Sequence, residues 1–165
     1  MPIHNKEGGI IKRYQTVDIL QLADVPRAVE VWEASVRATH HFVTEADIDL
    51  FRPLVRDALA SGSLSVACIR DETGAVVGFI GVADGKVEML FVHPDWRGYR
   101  VGRSLLTYAI SHWDARTLDV NEQNPQAIGF YEHIGFIAVG RSELDGMGKP
   151  YPLVHMRLKS VTSDE

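Results

Sequence analysis

Three arginines, Arg97, Arg100 and Arg103, fall within seven residues and are interleaved with Gly98 and Gly102. An apolar run, Leu90-Phe91-Val92, precedes them, and the helical spacing of Val101, Leu105, Leu106, Ala109 and Ile110 follows. A strand that turns through glycines into a helix leaves backbone N–H groups unpaired at the positive end of the helix dipole, where phosphate oxygens bind well. Glycines at such a turn let the backbone approach an anion closely, and arginines add charge and forked donors. The alternative is a glycine-tolerant turn with solvated arginines. Two other phosphate motifs are excluded: the stretch lacks the Gly-x-Gly-x-x-Gly of a dinucleotide fold and the Gly-Lys-Ser/Thr of a P-loop.

This cationic cluster stands out because the chain as a whole is acidic. Seventeen Lys and Arg oppose 22 Asp and Glu, for a net charge of -5 and an isoelectric point near 5.8, a poor balance for coating nucleic acid. A basic or amine-bearing partner suits it better. With 45% apolar and 24% charged residues, the 165-residue chain has the composition of an ordinary globular domain, not a disordered or fibrous one. No apolar run approaches the roughly 18 residues of a membrane span, so no membrane partner is expected. The opening Met1-Pro2-Ile3-His4-Asn5-Lys6-Glu7 does not resemble a signal peptide, and the expected compartment is the cytoplasm. The single cysteine, Cys68, sits in the apolar stretch Ser65–Ile69, as a buried inert thiol would. Seven histidines include no His-x-x-x-His pair, and His93, His112, His133 and His155 belong to different elements, so no metal site is expected.

The elements that must position the cluster follow from periodicity. One domain is expected, with a core over about 10–158 and loose ends at about 1–9 and 160–165. A first strand lies within Ile10–Ile19. Asp24 reads as a helix cap with Pro26 in the first turn and Val25, Val29, Trp32 and Val36 on the buried stripe. Thr44 and Asp47 have capping-box spacing ahead of a second helix, in which Pro53 predicts a break or kink. Three strands follow, 64–70, 76–83 and 86–92, with Asp84-Gly85 as a hairpin turn. A helix from Val101 to near Trp113, a strand over 117–120, a helix opened by Pro125 and closed by Gly135, and two strands over 136–139 and 154–158 complete the order β-α-α-β-β-β-α-β-α-β-β. The compact way to bury that order is an α/β fold with a twisted mixed sheet of about seven strands and helices on both faces. Trp32, Trp96 and Trp113 are expected as core or loop anchors.

Leu90-Phe91-Val92-x-Pro94 followed by Arg97-Gly98-x-x-x-Gly102 resembles the acetyl-CoA-binding motif of the GNAT superfamily of N-acetyltransferases. Downstream, Asn121–Ala127 with Gly129-Phe130-Tyr131 and Gly135-Phe136 resembles the second motif of that family, in which an Asn and a Tyr flank the CoA thioester. The resemblance covers about residues 10–158. It implies acetyl-CoA as co-substrate, no metal, and direct transfer of an acetyl group to a primary amine, whether of a protein lysine, an N-terminus or a small molecule. It also implies a monomer or homodimer. An alternative from a different class is a CoA-binding sensor that kept the fold and lost turnover.

Carried over by position, the cofactor would be bound by Leu90, Phe91, Val92, Arg97, Gly98, Tyr99, Arg100, Val101, Gly102, Asn124 and Tyr131. Arg100 departs from the family, which has its central glycine there. Its side chain either crowds the pyrophosphate or swings outward and adds a cationic contact, and the neighbouring Arg97 and Arg103 favour the second. Tyr131 is the candidate acid for the leaving thiol. Glu88 and Asp119, the two carboxylates on central strands, are the candidate bases, and strict alternation would put Glu88 on the face of Leu90 and Val92. His40 and His41 would border the acceptor. A lysine amine is neutral in only about one molecule in a few thousand at neutral pH, so positioning and proton removal are both required.

Overall fold

The computed structural model describes residues 16–159 together with the short strands β1 (Ile3–His4) and β2 (Ile10–Ile11), which pair with each other. The loose ends expected at 1–9 and 160–165 otherwise lie outside the described residues. The main sheet has seven strands: β3 (Val17–Ile19), β4 (Ser65–Arg70), β5 (Val76–Ala83), β6 (Lys86–Val92), β7 (Thr117–Asn121), β8 (Phe136–Ser142) and β9 (Leu153–Leu158). They lie in the order β3-β4-β5-β6-β7-β9-β8, antiparallel at every junction except β6 with β7. Helices α1 (Val25–Thr39) and α2 (Glu45–Ala60) cover one face; α3 (Val101–Trp113) and α4 (Pro125–Ile134) cover the other. This is the α/β arrangement expected from the sequence, and the first strand of the main sheet, Val17–Ile19, lies within the expected Ile10–Ile19.

Each face has its own core. Val25, Val29, Trp32 and Val36 of α1 pack with Ile48, Val55 and Leu59 of α2 on Val66, Cys68, Val76 and Phe79. On the other side Val101, Leu105, Leu106 and Ala109 of α3 pack on Ala67, Ile69, Val77, Ile80 and Leu118. The alternation along β4, Val66 and Cys68 to one core and Ala67 and Ile69 to the other, is that of a strand buried on both sides. Burial pushes the Cys68 thiol up to about 11, so it stays protonated and inert.

Local chemistry sets the element boundaries. Thr44 Oγ1 accepts from the Asp47 N–H at 3.1 Å, closing the expected capping box on α2. Of the break or kink expected at Pro53, there is no break: α2 runs from Glu45 to Ala60 with Pro53 inside it. Pro53 and Asp49, whose carbonyl loses its partner, are both exposed, so water can satisfy that oxygen. Asp24 does begin α1, but its carboxylate makes no cap hydrogen bond to the helix; Arg70 holds it in a fork at 2.7 and 2.8 Å. Gly78 lets α3 sit close on the sheet, because a Cβ there would lie 2.6 Å from Val101 Cγ1.

Candidate active site

Two irregularities open the site. The parallel strands β6 and β7 pair only at Lys86 with Thr117 and Val87 with Leu118, and the pairing goes no further. Between β5 and β6 the register shifts: Gly81 faces Met89, Val82 faces Val87, and Glu88 is left over as a β-bulge. The result is a cleft of about 740 Å³ bordered by Glu88–Val92 of β6, Leu118–Asn121 of β7, the turn before α3, one side of α4, and Ser35, Thr39 and His40 from the end of α1.

The bulge corrects the alternation expected for Glu88. Val87 joins Leu90 and Val92 against the α3 side, and Met89 and Phe91 pack toward α1. Glu88, the extra residue, is exposed at the cleft. Alternate backbone N–H groups of β6 beyond Val87 also lack a partner strand on the β7 side.

The arginine–glycine turn lines the cleft beyond the end of β6, where a short helical turn, Pro94–Trp96, leads into α3. Arg100 is the N-cap of α3 and has φ +66, and Gly98 has φ +82. Left-handed backbone is glycine's natural conformation, which explains why a glycine fits the Arg100 position and why an arginine there is strained by about 1–2 kcal/mol. No side chain caps α3, and its first internal backbone bond is Ser104 N–H to Arg100 O. The N–H groups of Val101, Gly102 and Arg103 therefore remain available for an anion. Arg97 is steadied by its Nη2 on Gln126 Oε1 at 2.9 Å, while the Arg100 and Arg103 side chains have no hydrogen bond or ion pair among the described residues. Leu90, Phe91, Val92, Arg97, Gly98, Arg100, Val101 and Gly102 all line the cleft, and Tyr99 does not. The Tyr99 ring packs edge-on against Trp96, 6.1 Å away, and it is Trp96 that borders the cleft.

Asn124 and Tyr131 enter from α4. Asn124 Oδ1 accepts from the Ala127 N–H at 3.3 Å as the helix cap, which turns its amide N–H₂ into the free end. Tyr131 is wedged edge-on between Phe130 and Phe136, at 5.1 and 5.9 Å between ring centroids. Burial pushes its phenol well above the ordinary tyrosine value, so it stays protonated at neutral pH.

Asp119 lines the cleft but is held on both oxygens. His155 Nδ1 lies 2.6 Å from Oδ1 and Lys86 Nζ 2.8 Å from Oδ2. Burial raises its pKa, yet the His155 and Lys86 hydrogen bonds outweigh burial and hold it below the usual carboxylate range. His155 Nε2 in turn meets Ser142 Oγ at 2.6 Å.

His40 and His41 separate. His40 lines the cleft and His41 is exposed outside it. Thr39 Oγ1 lies 2.7 Å from both the Ser35 carbonyl and His40 Nδ1. A carbonyl only accepts, so the threonine proton goes to Ser35 and His40 Nδ1 donates to Thr39, leaving Nε2 as a lone-pair acceptor. Burial, with some help from His41, lowers the His40 pKa to about 4, and the ring is neutral at pH 7.

Thr39, Lys86 and the His155 contact with Asp119 carry no motif signal, and Gln126 lies within the second motif stretch without a role assigned to it. Gln126 alone carried a signal, its place next to Pro125 in the first turn of α4.

A family model described as an acetyltransferase (GNAT) domain matches residues 50–160. The chain is 43% identical over 128 residues to the peptidyl-lysine N-acetyltransferase YjaB of Escherichia coli (strain K12), covering 78% of this chain and 86% of that protein. The solution structure of apo-form YjaB from Escherichia coli superposes with a TM-score of 0.80 at 35% identity, over 89% of this chain and 99% of that one. The PaiA N-acetyltransferase from Thermoplasma acidophilum, solved in complex with coenzyme A, shares the fold with a TM-score of 0.63 at 18% identity, over 88% and 99% of the two chains. A glycine–arginine turn at a helix N-terminus, a cleft between splayed strands and a phenol on its wall thus occur in a chain that belongs to the GNAT family of acetyltransferases.

Proposed function

We propose that this acetyltransferase moves the acetyl group of acetyl-CoA to the Nζ amine of a protein lysine, by direct transfer within one domain spanning about 10–158. The observation that carries the reading is the cleft itself, lined both by an anion-binding helix start and by Glu88, Tyr131 and His40. The name of the 43%-identical relative, a peptidyl-lysine N-acetyltransferase, supports the acceptor class. The cleft's donors suit CoA: unpaired N–H groups at the start of α3 and the free arginines match a pyrophosphate, and the apolar Leu90–Val92 strand matches a pantetheine arm.

Acetyl-CoA supplies an acetyl group already activated as a thioester. Val101, Gly102 and Arg103 donate backbone N–H groups to phosphate oxygens, and Arg97 and Arg100 add charge. The β6 N–H groups left unpaired beyond Val87 polarise the carbonyl, a role in which fixed backbone donors are effective. Glu88 takes one proton of the lysine ammonium, directly or through one water, and the neutral amine attacks the thioester carbon. As the new C–N bond forms and the C–S bond breaks, Tyr131 gives its proton to the departing sulfur, and the second proton lost from the nitrogen returns to Tyr131 through water. Asp119, neutralised by two cationic or donor partners, serves as a structural anion and not as the base. Cys68, buried and protonated, forms no acyl intermediate. A CoA-binding sensor would need no protonated phenol beside the thioester.

The test combines purified protein, acetyl-CoA and lysine-containing peptides, with thiol release followed in parallel with peptide mass. Thiol release matched by a 42 Da gain on lysine, the mass of an acetyl group replacing hydrogen (about 42 Da from atomic masses), supports the reading. Calorimetric binding of acetyl-CoA with no acetylated lysine in any peptide overturns it.

A further inference from the structure

The connection from α1 to α2 and the loop from β8 to β9 are far apart in the chain and joined by a compact polar and aromatic contact. Tyr151, in the second of these segments, donates its hydroxyl to Asp47 Oδ2 in a short hydrogen bond across 104 residues. Lys149 Nζ lies 3.4 Å from the other Asp47 oxygen. The Asp47 carboxylate is buried, with 8% of its side chain exposed, and it also closes the capping box of α2. The ring of Tyr151 lies 5.4 Å from that of Phe42, and Phe42 lies 5.4 Å from His40, which lines the cleft.

The loop is built to present this tyrosine. Asp145 Oδ1 accepts from the Met147 and Lys149 N–H groups at 2.9 Å each, and the Asp145 N–H donates to Lys149 O at 2.9 Å. A turn closed on itself in this way fixes Lys149, Pro150 and Tyr151 before they meet Asp47. Neither Tyr151 nor Asp47 borders the cleft, so their pairing reaches it only through Phe42 and His40.

We propose that Tyr151 and Asp47 form a latch that holds His40, through Phe42, on the wall of the cleft, which makes Tyr151 a positioning residue for the acceptor amine. The latch deepens the acetyl-transfer reading above and rests on it for the acceptor's identity. It acts on the acceptor side alone, because the α3 start and the arginines belong to other elements.

Tyr151→Phe keeps the ring beside Phe42 and removes only the hydroxyl. Two measurements on the full chain are decisive: NMR titration of the His40 imidazole without substrates, and steady-state kinetics with a lysine peptide and acetyl-CoA. A hydrogen bond to a charged group contributes about 1.5–3 kcal/mol, or about tenfold and upward in an equilibrium. The expected result is a His40 titration that moves up from about 4 toward 6.5, and a peptide KM raised about tenfold with kcat and the acetyl-CoA Kd within about twofold of wild type. Asp47→Asn, which leaves the phenol a neutral acceptor in place of a charged one, is expected to move both readouts in the same direction by a smaller amount. A His40 titration unchanged in Tyr151→Phe overturns the latch, as does an acetyl-CoA Kd that weakens in step with the peptide KM. If the wild type acetylates no peptide while the His40 titration still moves, the latch stands and the lysine reading fails.

Discussion

Asp119 and His155 face each other on neighbouring strands and meet at 2.6 Å between Oδ1 and Nδ1, while Lys86 holds the other carboxylate oxygen. A carboxylate held in this way is stable as an anion and a weak proton acceptor. Glu88, released from the ladder by a bulge, is the opposite case. Asp119→Asn is therefore expected to cost stability, by about 1–3 kcal/mol for the lost charge-assisted bonds, and to leave kcat/KM within about threefold. Glu88→Gln should lower kcat/KM by about 100-fold or more with little change in stability. Urea unfolding and peptide kinetics on both variants check the pair; a reversed order of the two kinetic effects would return the base role to Asp119.

Arg97→Ala with Arg100→Ala should weaken acetyl-CoA binding by about tenfold and flatten its salt dependence, because both side chains are exposed and their attraction is screened. Arg100→Gly separates charge from backbone. At φ +66 a glycine relieves strain, so thermal stability should rise by about 1 kcal/mol while the salt dependence still falls. Calorimetry at two ionic strengths, with melting curves, reads both. Unchanged affinity and salt slope in the double variant would return the arginines to a solvated turn.

His40 makes stability depend on pH. Its folded pKa is lowered to about 4 from 6.5, so at pH 7 the ring is neutral whether folded or not and contributes nothing. Below 6.5 the unfolded chain binds a proton that the folded one refuses, and stability falls as pH drops until the folded pKa is reached. From about pH 7 to about pH 5 this group should cost about 2 kcal/mol, and His40→Gln should remove that part of the slope. Urea unfolding at the two pH values gives the comparison. An equal slope in the variant would mean that His40 titrates normally.

Much of this architecture is legible in the sequence where the cause is local. The Thr44–Asp47 box, three residues apart, formed as its spacing predicts, and Asp84-Gly85 adopts φ +50 and +77, the left-handed pair of a tight hairpin. The helix start at Val101 follows from the glycine–arginine turn. The bulge at Glu88 depends on how β6 registers against β5, which no residue within β6 announces. Asp119 looked like a free strand carboxylate because Lys86 and His155 lie 33 and 36 residues away and reach it only once β7 pairs with its neighbours. The hold of Tyr151 on Asp47 is longer-range still. Pro53 shows the reverse case, a strong local signal that does not end the helix because the helix exposes the carbonyl that proline leaves unpaired.

Tyr131→Phe with a lysine peptide tests the account most directly, since the ring keeps its place between Phe130 and Phe136 and only the proton donor is lost. General acid catalysis contributes about 100- to 10,000-fold, and a thiol is already a good leaving group, so kcat should fall by about 100-fold. Acetyl-CoA Kd and peptide KM should stay within about twofold, the pattern of an interaction made only in the transition state. A variant that turns over at the wild-type rate would contradict the account, leaving Tyr131 as a packing residue and the thiol proton to come from elsewhere.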